Sequence, residues 1–437
     1  MAITIPHNFQ PRPYQLPILR ALDSGTKRVV AVWHRRAGKE KTFINYTAKA
    51  AFQRVGTYFY LFPTYTQAKK VLWDGRDREG FPFMSHFPPE VVKGKNETEL
   101  RVELVNGSAV QLIGTDNIDS VMGTNPVGCV FSEYAMQDPK AWDYMRPILR
   151  ENGGWAIFDY TPRGKNHGYQ LYQMAKGNKD WYAEILTVAE THALSVSDIN
   201  KERAEGMSEE LIQQEFYCSF EGVMFGAYFG RQLQKAEADG RVSKVPYEEG
   251  LGVETWWDLG IGDSTSIWFT QSIGREIRVI DYYEASGEGL PHYAKVLQGK
   301  PYIYSRHHAP HDIEVRELGS GKSRKETAQS LGIAFDVVPN LAVEDGIEAA
   351  RNILSRCWFD KDKCARGLNA LASYHKAWDE RAKDWKSYPA HDWSSHAADA
   401  FRYLAVGHKT TPVKTEAPVI EIRSYDQSAQ NVAWLAS

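Results

Sequence analysis

The chain has 437 residues, more than one compact core usually holds, and this length predicts about two domains. Hydrophobic residues make up 43% and charged residues 24%, which is the balance of a globular protein. The formal net charge of −3 excludes a protein that is basic over its whole surface. If the chain binds nucleic acid, its positive charge must be concentrated locally.

The cysteines and the N-terminus predict an intracellular protein. The four cysteines are scattered and form no C-x-x-C pair, so we expect reduced thiols. The first residues lack the basic and then apolar layout of a secretory signal. No window approaches about 18 uninterrupted apolar residues, and no membrane span is therefore predicted.

The first half of the chain alternates short apolar runs with polar helical patterns. The runs are residues 28–33, 57–62, 109–113, 127–131 and 155–158. Apolar runs this short, separated by helical stretches, indicate buried parallel strands joined by crossovers. We therefore predict an α/β domain with a mainly parallel sheet.

Residues 28–42 are predicted to form a strand, a tight turn with Gly38 and Lys39, and a helix. The free N–H groups of a helix N-terminus, together with a lysine, are suited to binding a triphosphate. The pattern departs from the consensus phosphate loop, because its first glycine falls on Trp33 and its Mg²⁺-binding Ser or Thr falls on Glu40. The alternative interpretation is a basic turn that opens a surface helix.

The ends of two later strands can complete a nucleotide site. Glu133 follows the run 127–131, and a carboxylate there can polarise a water that attacks the γ-phosphate. Ser132 stands where an Asp is usual. Thr161 lies in the turn after the next strand, where it can sense the γ-phosphate. The alternatives are an ordinary acid at a strand end and a plain turn around Pro162.

Near the N-terminus, Tyr14 and Gln15 can present an aromatic face and an amide to adenine. Together with HRRAGK at 34–39, VFSEYA around Glu133 and TPRG at 161–164, they follow the order and spacing of the terminase large subunits of tailed bacteriophages. The chain resembles that family. The resemblance implies an N-terminal ASCE or P-loop-type ATPase.

The same resemblance implies roles for individual residues of the ATPase. Glu133 would be the catalytic carboxylate, and Thr42 is the candidate substitute for the Mg²⁺ ligand that Glu40 replaces. The cofactors implied are ATP and Mg²⁺. The residues implied to bind them are Tyr14, Gln15, Arg35, Arg36, Gly38, Lys39, Glu40, Lys41, Thr42 and Thr161.

A change of composition marks the predicted boundary between domains. Glycines, charged residues and a proline cluster from about residue 222 to 252, which is typical of a connection. We predict an ATPase domain over 1–221, a linker region over 222–252, a second domain over 253–409 and a C-terminal tail over 410–437.

The second half opens with strand patterns at 254–258, 265–270 and 276–281, and a helix is predicted over 395–406. Four aspartates accompany these elements. Asp258 ends the first strand, Asp263 lies in the glycine turn that follows, Asp312 ends a later strand, and Asp399 shares a helical face with His396 and Tyr403.

Aspartates that converge repel one another unless cations hold them together. Two Mg²⁺ or Mn²⁺ ions can activate water and stabilise the leaving oxygen in phosphodiester cleavage, and both ions prefer oxygen ligands. Zinc is the alternative that the neighbouring histidines raise. No cysteine accompanies those histidines and no H-E-x-x-H is present, so zinc is disfavoured.

The segments WDLGIGDST, APHDIE and HAADAFRY resemble the RNase H-like nuclease domain of the same family, which implies a mixed sheet. The resemblance implies that Asp258, Asp312 and Asp399 are catalytic metal ligands with Asp263 as an accessory ligand. The nuclease site would hold two Mg²⁺ or Mn²⁺ ions.

The resemblance implies a genome-packaging enzyme. ATP hydrolysis would drive double-stranded DNA into a procapsid, and the nuclease would cut concatemeric DNA. The implied partners are DNA, a portal protein, a small terminase subunit and further copies in a ring, expected to be pentameric, with a free monomer as the alternative in solution. The implied location is the cytoplasm of an infected bacterium, docked transiently on the procapsid.

Two other functions stay open at this level. A helicase-type or repair-type ATP-dependent nuclease would need helicase motifs, which are not found. A non-catalytic docking protein with decayed sites would explain the irregular Trp33, Glu40 and Ser132.

Overall fold

The structure is a computed structural model that describes residues 9–222, 224, 226–260, 264–316, 321–379 and 384–408. Two large sheets dominate the described residues. One is built from strands of the first half of the chain and the other from strands of the second half.

The strands are β1 (Arg28–Trp33), β2 (Thr57–Phe62), β3 (Val92–Asn96), β4 (Arg101–Leu104), β5 (Ala109–Gly114), β6 (Pro126–Ser132), β7 (Trp155–Tyr160), β8 (Trp181–Leu186), β9 (Val242–Ser243), β10 (Val253–Asp258), β11 (Ser264–Ile273), β12 (Glu276–Ser286), β13 (Tyr304–Ala309), β14 (Phe335–Val337), β15 (Cys357–Asp360), β16 (Lys376–Asp379) and β17 (Asp384–Pro389).

The α-helices are α1 (Leu16–Asp23), α2 (Lys39–Gln53), α3 (Tyr65–Ala68), α4 (Lys140–Glu151), α5 (His167–Lys176), α6 (Val188–Thr191), α7 (Val196–Ala204), α8 (Glu209–Glu215), α9 (Gly230–Ala238), α10 (Leu290–Gly299), α11 (Arg324–Ser330), α12 (Val343–Leu354), α13 (Ala365–Ser373) and α14 (Ser395–Gly407). Short 3-10 turns cover Pro13–Gln15, Phe83–His86, Pro89–Val91, Thr115–Val121, Tyr134–Met136 and His311–Glu314, and a π-turn covers Lys69–Trp73.

The first sheet is mainly parallel, as predicted. Its strand order is β3-β4-β5-β2-β6-β7-β1-β8, and the six strands from β5 to β8 in this order run parallel to one another. β3 and β4 add an antiparallel edge. The five apolar runs of the sequence became β1, β2, β5, β6 and β7, because a central strand covered on both faces needs a continuous apolar run.

The sequence did not predict β3, β4 and β8. β3 is mostly exposed, and β8 is half-buried along its whole length. β3 and β8 are the edge strands, which need fewer apolar residues than central strands, and β4 alternates buried with more exposed residues, so none of the three carries a continuous apolar run.

The second sheet is mixed, and the predicted α/β class is thereby confirmed. Its strand order is β14-β13-β10-β11-β12-β15-β9. β10, β11 and β12 form an antiparallel meander, whereas the other neighbours pair in parallel. The strands predicted at 254–258, 265–270 and 276–281 are β10, β11 and β12, and the helix predicted over 395–406 is α14.

Alternation along β7 decides which side chains lie beneath α2. Trp155 and Ile157 join the core cluster that includes the apolar face of α2, whereas Ala156 and Phe158 join the core on the opposite face. Asp159 continues the face of Trp155 and Ile157. Its carboxylate therefore points toward α2, at the carboxyl end of the sheet.

The region predicted as a linker holds regular structure. It contains α9, and its short strand β9 pairs with β15, so this part of the chain extends the second sheet. The domain boundaries stay predictions, and the predicted tail at 410–437 lies outside the described residues. Within the described part of the chain, none of the helices combines the length and the hydrophobicity that a membrane crossing requires.

Ion pairs join the two halves of the chain. Glu284 on β12 is almost fully buried, and its Oε1 lies 2.6 Å from the Lys140 amine and 2.8 Å from the Arg366 guanidinium. Arg366 also contacts Asp138 at 2.7 Å and lies over the ring of Trp393. Asp138 and Lys140 belong to the first half, so the first-half segment that follows Glu133 is held directly against the second sheet.

Candidate functional site

The loop between β1 and α2 has the backbone that the predicted phosphate loop requires. Gly38 has a φ of 84°, in the left-handed region that glycine enters without strain, and it directly precedes the first residue of α2. The N–H groups of the first turn of α2 have no partners within the helix, so this end can bind an anion.

The amine of Lys39 is the point at which the predicted ATPase motifs meet. Its Nζ lies 3.1 Å from Oε1 of Glu133, donates to Oγ1 of Thr161 at 2.9 Å and donates to the carbonyl of Trp33 at 3.4 Å. Burial alone would lower the pKa of Lys39, but the carboxylates of Glu133 and Glu40 raise it. The lysine therefore stays charged inside the protein.

The backbone of Glu133 is held in an unusual conformation. Its φ of 54° lies in the left-handed region, which costs a non-glycine residue free energy. The N–H of Thr161 lies 3.5 Å from Oε2 of Glu133, so the turn after β7 reaches the same carboxylate as Lys39. Strain of this kind persists where the surrounding structure fixes a side chain for a task.

Sequence reasoning missed Asp159, a fully buried acid beside this cluster. Oγ of Ser132 donates to its Oδ1 at 3.4 Å, while its Oδ2 has no hydrogen-bond partner among the described residues. Burial, followed by the charge of Glu40, raises the pKa of Asp159 well above its usual value. The signal in the sequence was a single acid inside the apolar run WAIFDY.

Tyr14 and Gln15 contact the loop backbone rather than standing free. The Tyr14 hydroxyl donates to the carbonyl of Ala37 at 3.1 Å, and Nε2 of Gln15 donates to the same carbonyl at 3.0 Å. Tyr14 also lines a cavity of about 490 Å³, together with Arg12 and His192. These contacts place the predicted adenine-binding residues beside both the phosphate loop and an open cavity.

Three of the other predicted nucleotide-binding residues are engaged elsewhere. The Lys41 amine pairs with Asp77 at 2.6 Å, and the buried Thr42 hydroxyl donates to the carbonyl of Gly38 at 2.9 Å. Arg35 is 62% exposed and lies 3.7 Å from Glu215. Arg36 is exposed and has a φ of 75°. Thr42 thus uses its hydroxyl within its own helix.

The second predicted site lies at the carboxyl end of β10, against α14. Oδ2 of Asp258 lies 3.1 Å from Nδ1 of His396, and the Asp399 carboxylate accepts from the Arg402 guanidinium at 2.6 and 3.0 Å. Burial raises the pKa of Asp399 to about 6, even though Arg402 opposes the shift. The charge of Asp258 raises it further, so the two carboxylates interact electrostatically.

Asp312 approaches the same edge from the 3-10 turn that follows β13. Burial raises the pKa of the Tyr403 phenol, and the charges of Asp258, Asp399 and Asp312 raise it further. Tyr403 on α14 therefore lies within electrostatic range of all three predicted ligands.

In the part of the chain that the structure describes, no three His, Cys, Asp or Glu side chains are arranged as a complete metal site. Asp263, the predicted accessory ligand, lies outside the described residues.

The comparison with known proteins identifies one sequence relative. No family model matches the chain. The large terminase subunit of Thermus phage G20c is 27% identical over 182 residues, a match that covers 38% of this chain and 36% of that protein. The chain resembles the terminase large subunits. This confirms the resemblance predicted from the motifs, although the match spans only about a third of the relative's length.

Solved terminase structures also align with the chain. The large terminase of a thermophilic bacteriophage, in complex with ADP, covers 90% of this chain and 98% of its own, with 15% identity and a TM-score of 0.42. The ATPase domain of the Thermus phage P74-26 terminase covers 49% and 95%, with 21% identity and a TM-score of 0.42. The P22 large terminase nuclease domain covers 38% and 88%, with 17% identity and a TM-score of 0.31. The site assignments rest on the chain's own residues.

Proposed function

We propose that this chain is a terminase large subunit that packages a phage genome. ATP hydrolysis in the first half drives double-stranded DNA into a procapsid, and a metal-dependent nuclease in the second half cuts concatemeric DNA. The observation that carries the proposal is the convergence of the three ATPase motifs on one buried amine, that of Lys39, within 3.1 Å of Glu133 and 2.9 Å of Thr161. The sequence relative is consistent with it.

The proposed ATPase chemistry follows from the residues around Lys39. The N-terminus of α2 and the Lys39 amine bind the β- and γ-phosphates, because both carry positive charge at one point of the site. A triphosphate bound there competes with Glu133 for Lys39. The released Glu133 carboxylate then orients the attacking water and accepts its proton. Thr161 contacts both groups and transmits the loss of the γ-phosphate to β7 and the turn that follows it.

The proposed nuclease site uses Asp258, Asp312 and Asp399, with Asp263 as an accessory ligand. Two Mg²⁺ or Mn²⁺ ions, when bound, activate water and stabilise the leaving oxygen. His396 holds the Asp258 carboxylate in place at one end of β10. The chemistry of the donor set fits these ions, because the proposed ligands are carboxylate oxygens.

The proposed assembly follows the family. The partners are double-stranded DNA, a portal protein, a small terminase subunit and further copies of this chain in a ring, proposed to be a pentamer on the procapsid. The site of action is the cytoplasm of the infected bacterium. The domains proposed are 1–221 for the ATPase, 222–252 for the linker, 253–409 for the nuclease and 410–437 for the tail.

The ATPase is tested with Glu133→Gln in the full chain, measured as DNA-stimulated phosphate release. We expect a loss of about 10²- to 10⁴-fold, because the change removes a general base and keeps the shape. The matched control is Glu184→Gln on β8, whose carboxylate accepts hydrogen bonds from the side chains of Trp33 and Tyr182 and not from Lys39 or Thr161. Equal rates in the parent and Glu133→Gln would remove the ATPase assignment.

The nuclease is tested by cleavage of a plasmid in the presence of Mg²⁺ or Mn²⁺. Asp258→Asn should abolish cleavage and leave ATP turnover at the parent rate. Full cleavage by this variant would contradict the assignment. Unwinding of a forked duplex by the parent would favour the helicase hypothesis instead.

A further inference from the structure

The nucleotide site lacks both protein groups that normally hold its magnesium ion. In a common phosphate loop a Ser or Thr hydroxyl follows the lysine, and an Asp ends the strand before the catalytic acid. This chain has Glu40 in the first position and Ser132 in the second. Glu40 therefore puts a carboxylate where a hydroxyl is usual, and Ser132 puts a hydroxyl where a carboxylate is usual.

The strand pairing of the first sheet places a carboxylate next to Ser132, the position where an Asp is usual. Ser132 on β6 is paired directly with Asp159 on β7, and Oγ of Ser132 lies 3.4 Å from Oδ1 of Asp159. Asp159 is also paired with Ala31 on β1, the strand that leads into the phosphate loop. The carboxylate that Ser132 lacks therefore lies one strand closer to the phosphate loop.

Two buried polar atoms in this space have no partner. Oδ2 of Asp159 and the hydroxyl of Tyr60 are both buried, and neither makes a hydrogen bond among the described residues. Tyr60 is paired with Val130 on β6, the strand that ends at Ser132. Buried polar groups are nearly always paired, and an exception of this kind indicates a ligand that completes the site.

A second carboxylate lies at the start of α2. Glu40 is in the first turn of this helix, directly after Lys39, whose amine lies 3.1 Å from Oε1 of Glu133. The phosphate loop therefore carries an acid in the position that normally supplies a metal ligand.

We infer that Glu40 and Asp159 provide the protein ligands for the divalent cation of the bound nucleotide, with Ser132 positioning Asp159. Mg²⁺ is commonly held by one or two carboxylates together with substrate phosphates rather than by a cage made of protein alone. Two carboxylates fit that pattern. The inference deepens the proposed function and rests on it, because it concerns the metal of the same nucleotide site.

The test compares ADP binding to the full chain in Mn²⁺ and in EDTA by calorimetry. An Asp258→Asn background weakens metal binding at the second site. In this background we expect Mn²⁺ to strengthen ADP binding, and this gain measures the coupling between metal and nucleotide. Asp159→Asn and Glu40→Gln should each reduce the gain by at least about tenfold, the range seen when a metal site loses a supporting group. Their ADP affinity in EDTA should not fall below that of the background protein, because each change removes a negative charge near the bound phosphates.

Two further variants test whether the loss of the Mn²⁺-dependent gain is caused by misfolding alone. Glu184→Gln removes a carboxylate from β8, on the other side of β1, and should keep the full gain. The double variant Ser132→Asp with Asp159→Asn moves the carboxylate to the neighbouring strand and should recover most of the gain that Asp159→Asn loses. A purely structural role for Asp159 predicts no such recovery.

The outcomes separate the inference from the proposed function. If the background protein binds no ADP even in EDTA, the proposed ATPase is wrong and the inference is wrong with it. If ADP binds and Mn²⁺ strengthens binding equally in the background protein, Asp159→Asn and Glu40→Gln, the proposed ATPase stands and the inference is overturned. The Mn²⁺ electron paramagnetic resonance spectrum gives an independent readout, because the signal of the bound ion should change in both variants.

Discussion

The two candidate sites gather acids from distant parts of the chain, yet the acids find their partners in different ways. In the first half, the Lys39 amine lies 3.1 Å from Glu133, and the charges of Glu40 and Asp159 also act on it. In the second half, each of the two interacting aspartates contacts a different side chain: Asp258 lies 3.1 Å from His396, and Asp399 pairs with Arg402 at 2.6 Å. The acids share one basic partner at the first site and have separate partners at the second.

This difference predicts how each site responds to change. A cation shared by several acids cannot be removed without disturbing all of them, because a buried charge that loses its partner is costly. A site built from separate pairs should tolerate the loss of one member and lose only the function of that member. The experiments that follow use this contrast, in order of decreasing expected effect.

The largest effect is expected for Lys39→Met. The change leaves the surrounding carboxylates without their cation, and we expect a loss of about 3–5 kcal/mol in the local free energy of unfolding. Hydrogen exchange of peptides from β1 and α2, followed by mass spectrometry, measures this loss. Lys41→Met is the control, because Lys41 is 31% exposed and its pair with Asp77 should contribute at most about 1 kcal/mol. Equal losses in the two variants would contradict the role of Lys39 as the shared partner.

The next effect concerns acid stability at the junction of the two halves. Burial alone would raise the pKa of Glu284, but Arg366 and Lys140 lower it from its usual 4.5 to about 2. A carboxylate with a lowered pKa stabilises the fold fully above pH 4.5, and this stabilisation disappears as the pH falls toward 2. The loss should be on the order of 3 kcal/mol.

Urea unfolding of the parent between pH 5 and 2, at about half-unit steps, measures this dependence. Glu284→Gln cannot ionise, so its stability should be lower at neutral pH and should fall less steeply in acid. Parallel acid profiles for the two proteins would show that the ion pairs of Glu284 do not control the junction.

A smaller effect is expected for Asp399→Asn, which tests the pairwise site. We expect Mn²⁺ affinity without nucleotide to fall by about 10- to 100-fold, while ATP turnover stays at the parent rate. Asp392→Asn is the matched control, because its carboxylate accepts from Ser394 in the turn that precedes α14. A change in ATP turnover in Asp399→Asn would show that the two sites are coupled and not independent.

The smallest effect is expected for Thr42→Val. The change removes one hydrogen bond to the carbonyl of Gly38 at nearly constant volume, and it should cost about 1 kcal/mol. The gain in ADP affinity produced by Mn²⁺ should be unchanged. Loss of that gain would make Thr42 the metal ligand and would exclude the assignment to Glu40 and Asp159.

Some features of the first site can be predicted from the pattern of residues in the sequence. β1, β6 and β7 were predicted near their observed bounds, because buried central strands need continuous apolar runs. Lys39, Glu133 and Thr161 follow such strands, and parallel strands bring their carboxyl ends to one edge. Their convergence was therefore predictable in outline.

Other features depend on partners that the sequence does not name. β8 was missed because a half-buried edge strand has no continuous apolar run. Asp159 was missed because its importance lies in its register with Ser132, and register is set by the pairing of strands. Thr42 was a reasonable candidate by position, but its hydroxyl is satisfied inside α2.

The sequence by itself determined the α/β class, the order of the motifs and the likeness to terminase large subunits, because periodicity and motif spacing are properties of a single line of residues. The tertiary structure alone decided which charges meet. Coulomb energies depend on distance and burial, and only the folded sheets set these for Lys39 among its acids, for Asp258 against α14 and for Glu284 between the two halves.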